Sequence, residues 1–385
     1  MEKNLISTLF RVLTLAVFFL LTVVMLVKSI AAPDRERSEK ENRSLAQFPE
    51  ISLTSITSGD FMSRFESYMS DQVFGREKIV SVKSAAERLT GKTEQNGVYI
   101  GKDGWLFEKP AVYNQEKVGK TASAVSALCK RCGIENQMFV LVPNSTSVVE
   151  KKLPSHFPQK PQNETISKVY SLMPDSVKCF DANKIIQNYS DRESLYYRND
   201  HHWTTAGAKL VFDGIASAWQ LDKSVKYNTY VISGSFYGTL SSSSGIKDKP
   251  DTIEACVPEN GAGTYYIQNS STMTKTASVF CTDKLNTSNQ YEVFAGGNFS
   301  KLVINTTADT DRRLLLFKDS YANCMLPMLT PHFREIVVID ARYFTDEIDT
   351  VIETEDFTHL LFLYNVNTFL DDTSLKDVLQ PPQAE

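Results

Sequence analysis

The sequence of 385 residues is short of several features, and each shortage excludes a class of protein. Its 17 glycines and 14 prolines are too few for a collagen-like or low-complexity chain. Lys and Arg number 41 against 46 Asp and Glu, and no long basic stripe occurs, so we expect no nucleic-acid partner. Only one long apolar run is present and 42% of residues are hydrophobic, which excludes a multi-pass membrane protein.

Cysteine is scarce as well, and its spacing supports neither a metal site nor a redox site. Cys129 and Cys132 form a C-x-x-C, but no second such pair exists to complete a zinc site. The pair ends a helical stretch and lacks the preceding strand of a thioredoxin-like motif, so we expect a structural role. Cys256 and Cys281 flank a polar stretch, and their pairing depends on whether the chain is exported.

The apolar run is an N-terminal anchor or a signal peptide. Val12–Val27 is uncharged and mostly apolar between Arg11 and Lys28, and with the residues before it the segment can cross a hydrocarbon core of about 30 Å. The small residues Ser29–Ala32 resemble a cleavage site, but Pro33 would follow the cut. We therefore predict an uncleaved signal anchor.

A simple count of basic residues around the anchor favours the opposite orientation, because Lys3 and Arg11 precede the run and five basic residues follow it. Basic residues lie on both sides, and those after it alternate with acidic ones. Long C-terminal domains translocate largely regardless of flanking charge, so we expect a single-pass protein of the cell membrane with its bulk outside the cytoplasm. The predicted order is a short cytoplasmic tail (1–11), a transmembrane signal anchor (12–28), a tether (29–50), a large domain (51–375) with inserted short strands near 221–297, and a polar tail (376–385).

Beyond the tether, apolar runs alternate with helical patterns. Met138–Val142, Leu314–Phe317, Ile336–Ile339 and Leu360–Tyr364 have the continuous apolar character of strands buried on both faces. Such alternation implies right-handed crossovers, and the predicted fold class is α/β, a mainly parallel sheet flanked by helices. Helices are predicted near 116–130, 164–173, 208–219, 321–329 and 346–353.

Ser320 follows the strand Leu314–Phe317 at the point where a helix begins. Ligands of open α/β sheets bind at the carboxyl ends of strands, where a serine can act as a nucleophile beside backbone N–H donors. The simpler interpretation is that Asp319 or Ser320 merely caps the helix.

Two of the chain's five histidines lie together before a predicted helix. A serine nucleophile needs a base and a carboxylate that orients it, and Asp200 and His202 can supply both. In an extended segment these two would share a side while His201 points the other way. Surface histidines or a metal site are the alternatives, but the remaining histidines are isolated, and we expect no metal.

The segment Asp200–Trp203, read with Thr204–Ala208, resembles the signature of the DHHW protein family, which is related to the SGNH-hydrolase-like proteins of alginate O-acetylation. The likeness extends over most of the chain beyond the anchor, in the segments 41–45, 48–49, 65–76, 96–106, 236–240, 296–298 and 318–323. The resemblance implies an SGNH-hydrolase-like, extracytoplasmic domain that transfers acetyl groups to a secreted or cell-surface polysaccharide. It implies no cofactor, and a multi-spanning membrane-bound O-acyltransferase as the acetyl supplier.

By the same resemblance Ser320 is the nucleophile, His202 the base and Asp200 its orienting acid. The sequence departs from secreted SGNH esterases because Lys318 replaces a glycine and because the Asp-His pair precedes the serine. Candidate oxyanion or substrate contacts are Asn298, Tyr321, Arg342 and His201. For Asn298 the alternative, which the sequence favours, is that Gly296–Asn298 forms an ordinary turn. A carbohydrate acetyl esterase, or a non-catalytic polysaccharide-binding scaffold, is the alternative function.

Overall fold

The computed structural model describes residues 2–38, 43–259, 266–270 and 272–380. The chain forms two compact units, a smaller one from the first 92 residues with Ser242–Ile246 and a larger one from the remainder. Part of the predicted tether (39–42) and the end of the predicted polar tail (381–385) lie outside the described residues.

The smaller unit begins with a long apolar helix. Helix α1 spans Glu2–Ala31. Its segment Ser7–Ala31 contains an 18-residue stretch with a mean hydropathy of 2.6, and the segment is long and apolar enough to span a membrane. Pro33 follows it closely, and proline cannot continue a helix. The later elements of this unit are β1 (Arg37–Ser38), β2 (Arg43–Ser44), α2 (Leu53–Thr57), α3 (Asp60–Gln72) and α4 (Arg76–Leu89).

The strands that follow are short, and most of them belong to one sheet. In chain order they are β3 (Glu94–Gln95), β4 (Val98–Ile100), β5 (Leu106–Glu108), β6 (Asn136–Val142), β7 (Lys178–Phe180), β8 (Tyr227–Phe236), β9 (Asp251–Pro258), β10 (Tyr266–Asn269), β11 (Thr274–Thr276), β12 (Lys301–Asn305), β13 (Arg313–Lys318), β14 (Glu335–Ile339) and β15 (His359–Asn365).

The helices after α4 lie between these strands or follow them. They are α5 (Gln115–Arg131), α6 (Ser145–Val148), α7 (Gln162–Tyr170), α8 (Ala182–Gln187), α9 (Thr205–Ala218), α10 (Thr239–Ser244), α11 (Leu326–Leu329), α12 (Ile348–Thr354), α13 (Val366–Asp371) and α14 (Ser374–Leu379). A 3₁₀-helix spans Ser320–Met325.

The main sheet has eight strands, and five of them are parallel neighbours in the order β7-β6-β15-β13-β14. The predicted α/β fold class is confirmed. Strands β12, β10 and β11 extend one edge in antiparallel pairing. Strand β12 was not predicted from the sequence. Its five residues alternate between buried and half-buried, as expected of a strand with only one face in the core.

Two hydrophobic cores cover the two faces of this sheet. Along β13, Leu314 and Leu316 belong to one core, while Leu315 and Phe317 belong to the other. Helix α9 contributes side chains to the first core and helix α5 to the second. The parallel strands are thus covered on both faces, which explains why they read as continuous apolar runs.

All six cysteines are free thiols in the structure. Burial raises the pKa of Cys129 to about 12 and also raises that of Cys132. Reactive cysteines need an accessible thiolate, so this C-x-x-C lacks the properties of a redox motif.

Two buried histidines at the amino ends of strands make stability pH-dependent. His332 precedes β14 and His359 begins β15, and burial lowers the pKa of each to about 4. Below pH 6.5 the unfolded chain binds protons that the folded chain does not, so the folded state loses stability as pH falls from 6.5 to 4. At pH 5 the lowered pKa of each histidine should reduce the free energy of unfolding by roughly 2 kcal/mol.

Urea denaturation of the full chain at pH 7 and pH 5 measures this loss. The variant His332→Gln should lose less stability between these two pH values than the wild type. His156 is exposed, and His156→Gln is the matched control that should leave the difference unchanged. An identical loss in wild type and His332→Gln would contradict the assignment.

Candidate active site

The candidate site lies at the carboxyl ends of the parallel strands. Asp319 directly follows β13, is fully buried, and caps the 3₁₀-helix by accepting a hydrogen bond from the Tyr321 backbone N–H at 2.9 Å. Its other carboxylate oxygen accepts from the backbone N–H and side-chain amide of Asn365, at the end of β15. Because Asp319 caps the helix, the half-buried Ser320 hydroxyl remains available for another partner.

That partner is His202, and the two form a chain of hydrogen bonds with Asp200. Ser320 Oγ lies 2.7 Å from His202 Nε2, and His202 Nδ1 lies 2.5 Å from Asp200 Oδ1. Asp200 and His202 are buried. The fold thus brings together three predicted residues, two of which are separated by 118 positions in sequence.

Asp200 is held by more than its histidine. Its Oδ1 also accepts from the His202 backbone N–H at 3.0 Å, and its Oδ2 accepts from the N–H and hydroxyl of Thr239 at 2.7 and 2.9 Å. A Cβ at Gly238 would overlap the carboxylate, so only glycine permits this approach. Burial favours the neutral acid, but the adjacent His202 and His201 rings and these hydrogen bonds lower the pKa of Asp200, which stays ionised.

His201 does not point away from the pair, and the prediction from strand alternation is wrong on this point. Residues 198–202 form bends and no strand, and the His201 ring lies against the His202 ring with centroids 3.9 Å apart. His201 Nδ1 lies 2.7 Å from Thr239 Oγ1. Burial and the neighbouring His202 lower the pKa of His201, which favours the neutral ring.

Two hydrogen bonds join the histidine segment to the serine segment. The indole N–H of the fully buried Trp203 donates to the Tyr321 carbonyl at 2.9 Å. In return, the buried Tyr321 hydroxyl donates to the His201 carbonyl. Trp203 therefore helps to hold the segment that carries Asp200 and His202 against the segment that carries Ser320. The Tyr321 hydroxyl donates its proton to the His201 backbone carbonyl, so it has no proton left to donate to a substrate.

Tyr291 was not anticipated from the sequence. Its ring stacks on the His202 ring, with centroids 3.8 Å apart and planes 10° apart, and its hydroxyl donates to the Ser320 carbonyl at 3.2 Å. It lies in the region predicted only as short strands and turns. The sequence shows no signal for it, whereas Thr239 lies in the segment 236–240 quoted for the family resemblance.

The remaining predicted contacts lie together beside β13. Asn298 Oδ1 accepts hydrogen bonds from Lys318 Nζ at 2.9 Å and from Asn323 Nδ2 at 3.2 Å. Arg342 donates twice to the buried Asp340, at 2.8 and 2.7 Å, so this carboxylate occupies much of its guanidinium. Within the part of the chain that the structure describes, Asn298 Nδ2 donates no hydrogen bond, so Asn298 keeps a free donor group while much of the Arg342 guanidinium is engaged.

Asp200, His201 and His202 could also supply one ligand atom each to a metal, because such atoms lie within 4.8 Å of one another. Both carboxylate oxygens of Asp200 and the Nδ1 atoms of both histidines, however, already have hydrogen-bond partners. The bonds that a metal would have to replace are those that link the acid, the base and the serine.

Comparison with known protein families finds one match. The model of the DHHW protein family matches residues 149–339, a span that contains Asp200, His202 and Ser320. The predicted resemblance to the DHHW family is confirmed. No curated protein matches the sequence.

Solved structures extend the likeness beyond the DHHW match. A DHHW family protein from Eubacterium siraeum is 23% identical, with a TM-score of 0.63, and the alignment covers 75% of this chain and 97% of that one. Bacillus cereus PatB1, solved with a sulfonyl adduct, is 21% identical with a TM-score of 0.62 and coverage of 72% and 96%. The O-acetyltransferase domain of Pseudomonas putida AlgJ is 14% identical, with a TM-score of 0.48 and coverage of 74% and 96%. The first two likenesses establish a shared fold.

Proposed function

We propose that the chain is an extracytoplasmic O-acetyltransferase that acetylates a secreted or cell-surface polysaccharide through an acyl-serine intermediate. The observation that carries the proposal is the continuous hydrogen-bond chain from Asp200 through His202 to Ser320. A base fixed by a buried carboxylate and in contact with a serine hydroxyl is the arrangement that acyl transfer requires. The DHHW resemblance supports acetyl as the acyl group and an SGNH-hydrolase-like fold as its carrier.

In the proposed first step, Ser320 Oγ attacks the acetyl carbonyl carbon while its proton passes to His202 Nε2. The carbonyl electron pair moves onto the oxygen. We assign Asn298 Nδ2 to stabilise this oxyanion, because the hydrogen-bond partners of Asn298 are Lys318 and Asn323, which flank Ser320 in the chain. When the intermediate collapses, the bond to the donor alcohol breaks and the alcohol takes the proton from His202. Asp200 stays ionised and stabilises the imidazolium that forms in between.

In the second step, a sugar hydroxyl replaces the donor alcohol. His202 takes the proton of that hydroxyl, its oxygen attacks the acyl-serine carbonyl, and collapse returns the proton to Ser320. Water in the same position would give an esterase, so transfer depends on which hydroxyl reaches the acyl-serine. The donor that we propose is an acetyl group supplied by a membrane-bound O-acyltransferase, and helix Ser7–Ala31 would anchor the chain beside it.

The test is acetyl transfer from 4-nitrophenyl acetate to oligosaccharides, with the purified full-length chain in detergent. We expect acetylated sugar by mass spectrometry in the presence of an accepted oligosaccharide and none with Ser320→Ala. Neutral, uronic-acid and amino-sugar oligosaccharides should be compared as acceptors. Release of acetate with no acetylated sugar from any of them would favour the esterase, and absence of turnover would favour the scaffold.

The same assay tests the location. Oligosaccharides do not cross a membrane, so intact cells stripped of their wall should acetylate added sugar only if the domain faces outward. Cells carrying Ser320→Ala are the control for other acetylating enzymes. Transfer that appears only after lysis would contradict the extracytoplasmic placement while leaving the activity in place.

A further inference from the structure

Lys318 is a buried cation beside the reacting serine that the mechanism above leaves without a role. It is the last residue of β13, lies two positions before Ser320, and its side chain is 1% exposed. Burying an ammonium group is unfavourable unless the charge is paired and hydrogen-bonded. The partners of Lys318 therefore indicate what the residue does in this position.

One partner is charged and the other is neutral. Lys318 Nζ lies 3.3 Å from Asp340 Oδ2, and it donates to Asn298 Oδ1 over the shorter distance of 2.9 Å. Arg342 already holds both oxygens of Asp340. Burial favours the neutral form of Asp340, but Arg342 and Lys318 outweigh it and lower its pKa, so an anion is present to pair with both cations. The ammonium group thus bridges this shared carboxylate and the Asn298 amide.

The bond to Asn298 decides which end of that amide faces the site. Asn298 Oδ1 accepts from Lys318 Nζ and from Asn323 Nδ2, and a half-turn of the amide would place its NH₂ group against both donors. The Oδ1 atom is therefore held toward Lys318. Among the hydrogen bonds of the described residues, Asn298 Nδ2 donates none, and it remains free for a ligand.

The backbone supports the same placement. Gly296 and Gly297, which precede Asn298, have φ of +79° and +122°, values that favour glycine. Asn323 Nδ2 also reaches the Gly297 carbonyl at 3.4 Å. Both donors to Asn298 flank Ser320 along the chain, so the amide is held by the segment that carries the serine.

We propose that Lys318 is a positioning residue that holds Asn298 with its Nδ2–H directed at the oxyanion formed when Ser320 attacks the acyl carbonyl. The proposal rests on the acyl-serine mechanism of the proposed function. It assigns a role to the lysine that stands where secreted SGNH esterases have a glycine. The amide donates to the negative charge, whereas Lys318 donates to the amide and pairs with Asp340.

The test compares Lys318→Met with Asn298→Ala in turnover of 4-nitrophenyl acetate by the full-length chain. Methionine keeps the length of the side chain and removes the charge and the donor. We expect kcat to fall about 10²-fold in each variant, with KM changed by no more than about twofold, because an oxyanion contact acts in the transition state. Lys318→Gln retains an N–H donor and should lose less.

The double variant separates positioning from a purely structural role. Because Lys318 acts through Asn298, Lys318→Met with Asn298→Ala should be no slower than Asn298→Ala alone. A loss equal to the product of the two single losses would overturn the proposal. Lys120→Met makes the same change at an exposed position of α5 and should leave kcat unaltered.

The outcomes separate this proposal from the function on which it rests. If the wild type shows no turnover that depends on Ser320, both are wrong. If the wild type turns over and Lys318→Met keeps its kcat, only the positioning role is wrong. Thermal unfolding verifies that each variant is folded, and Lys318→Gln takes the place of Lys318→Met in the double variant if methionine prevents folding.

Discussion

Replacing Ser320 with alanine should lower acetyl-ester turnover by about four to six powers of ten, the loss seen when a nucleophile is removed from a triad. The substitution removes the atom that forms the new bond. Stability should change by only about 1 kcal/mol, because Ser320 is half-buried and Asp319 provides the helix cap. Turnover of 4-nitrophenyl acetate and thermal unfolding measure the two effects.

A trapped intermediate makes this prediction specific to one residue. Brief incubation of the wild type with the acetyl ester should add one acetyl mass to the peptide that contains Ser320. Ser123→Ala is the matched control, because Ser123 is exposed on α5 and its hydroxyl bonds only the Gly119 carbonyl. Turnover in Ser320→Ala close to that of the wild type, or acetylation at another residue, would refute the triad.

Replacing His202 with alanine should lower turnover as much as the loss of Ser320, because His202 contacts both Asp200 and the serine hydroxyl. His201→Ala should be far milder, within about tenfold or roughly 1.4 kcal/mol of barrier. His201 packs against His202 and bonds Thr239, and the Thr239 backbone N–H still holds Asp200 when the ring is gone. The two variants remove the same ring from adjacent positions, so each is a control for the other.

Equal inactivity of two folded histidine variants would contradict this division of roles. It would favour a site that uses both imidazoles together with Asp200, whose ligand atoms lie close enough for a metal. Measuring the metal content of the purified wild type then distinguishes the two cases. A stoichiometric metal would support the metal site, and its absence would indicate a shared acid–base role.

The local features of this protein were determined by the sequence alone. The run Val12–Val27 predicted the apolar helix, because its side chains are mostly apolar and no helix-breaking residue occurs before Pro33. The central strands were predictable because burial on both faces produces continuous apolar runs such as Leu314–Phe317. Asp200, His202 and Ser320 could be proposed as site residues because each lies in a short motif whose residue types match a chemical role.

Only the tertiary structure decided how these pieces meet. The contact between His202 and Ser320 joins segments 118 residues apart, and no local periodicity encodes such a distance. Strand β12 was missed because only one of its faces is buried, so it has three consecutive apolar residues between polar ones and no long apolar run. Tyr291 was missed because its role comes entirely from the ring it stacks on. The predicted direction of the His201 side chain was wrong because side chains alternate only in an extended strand. Residues 198–202 are bent, and His201 is held there by hydrogen bonds to Thr239 and Tyr321.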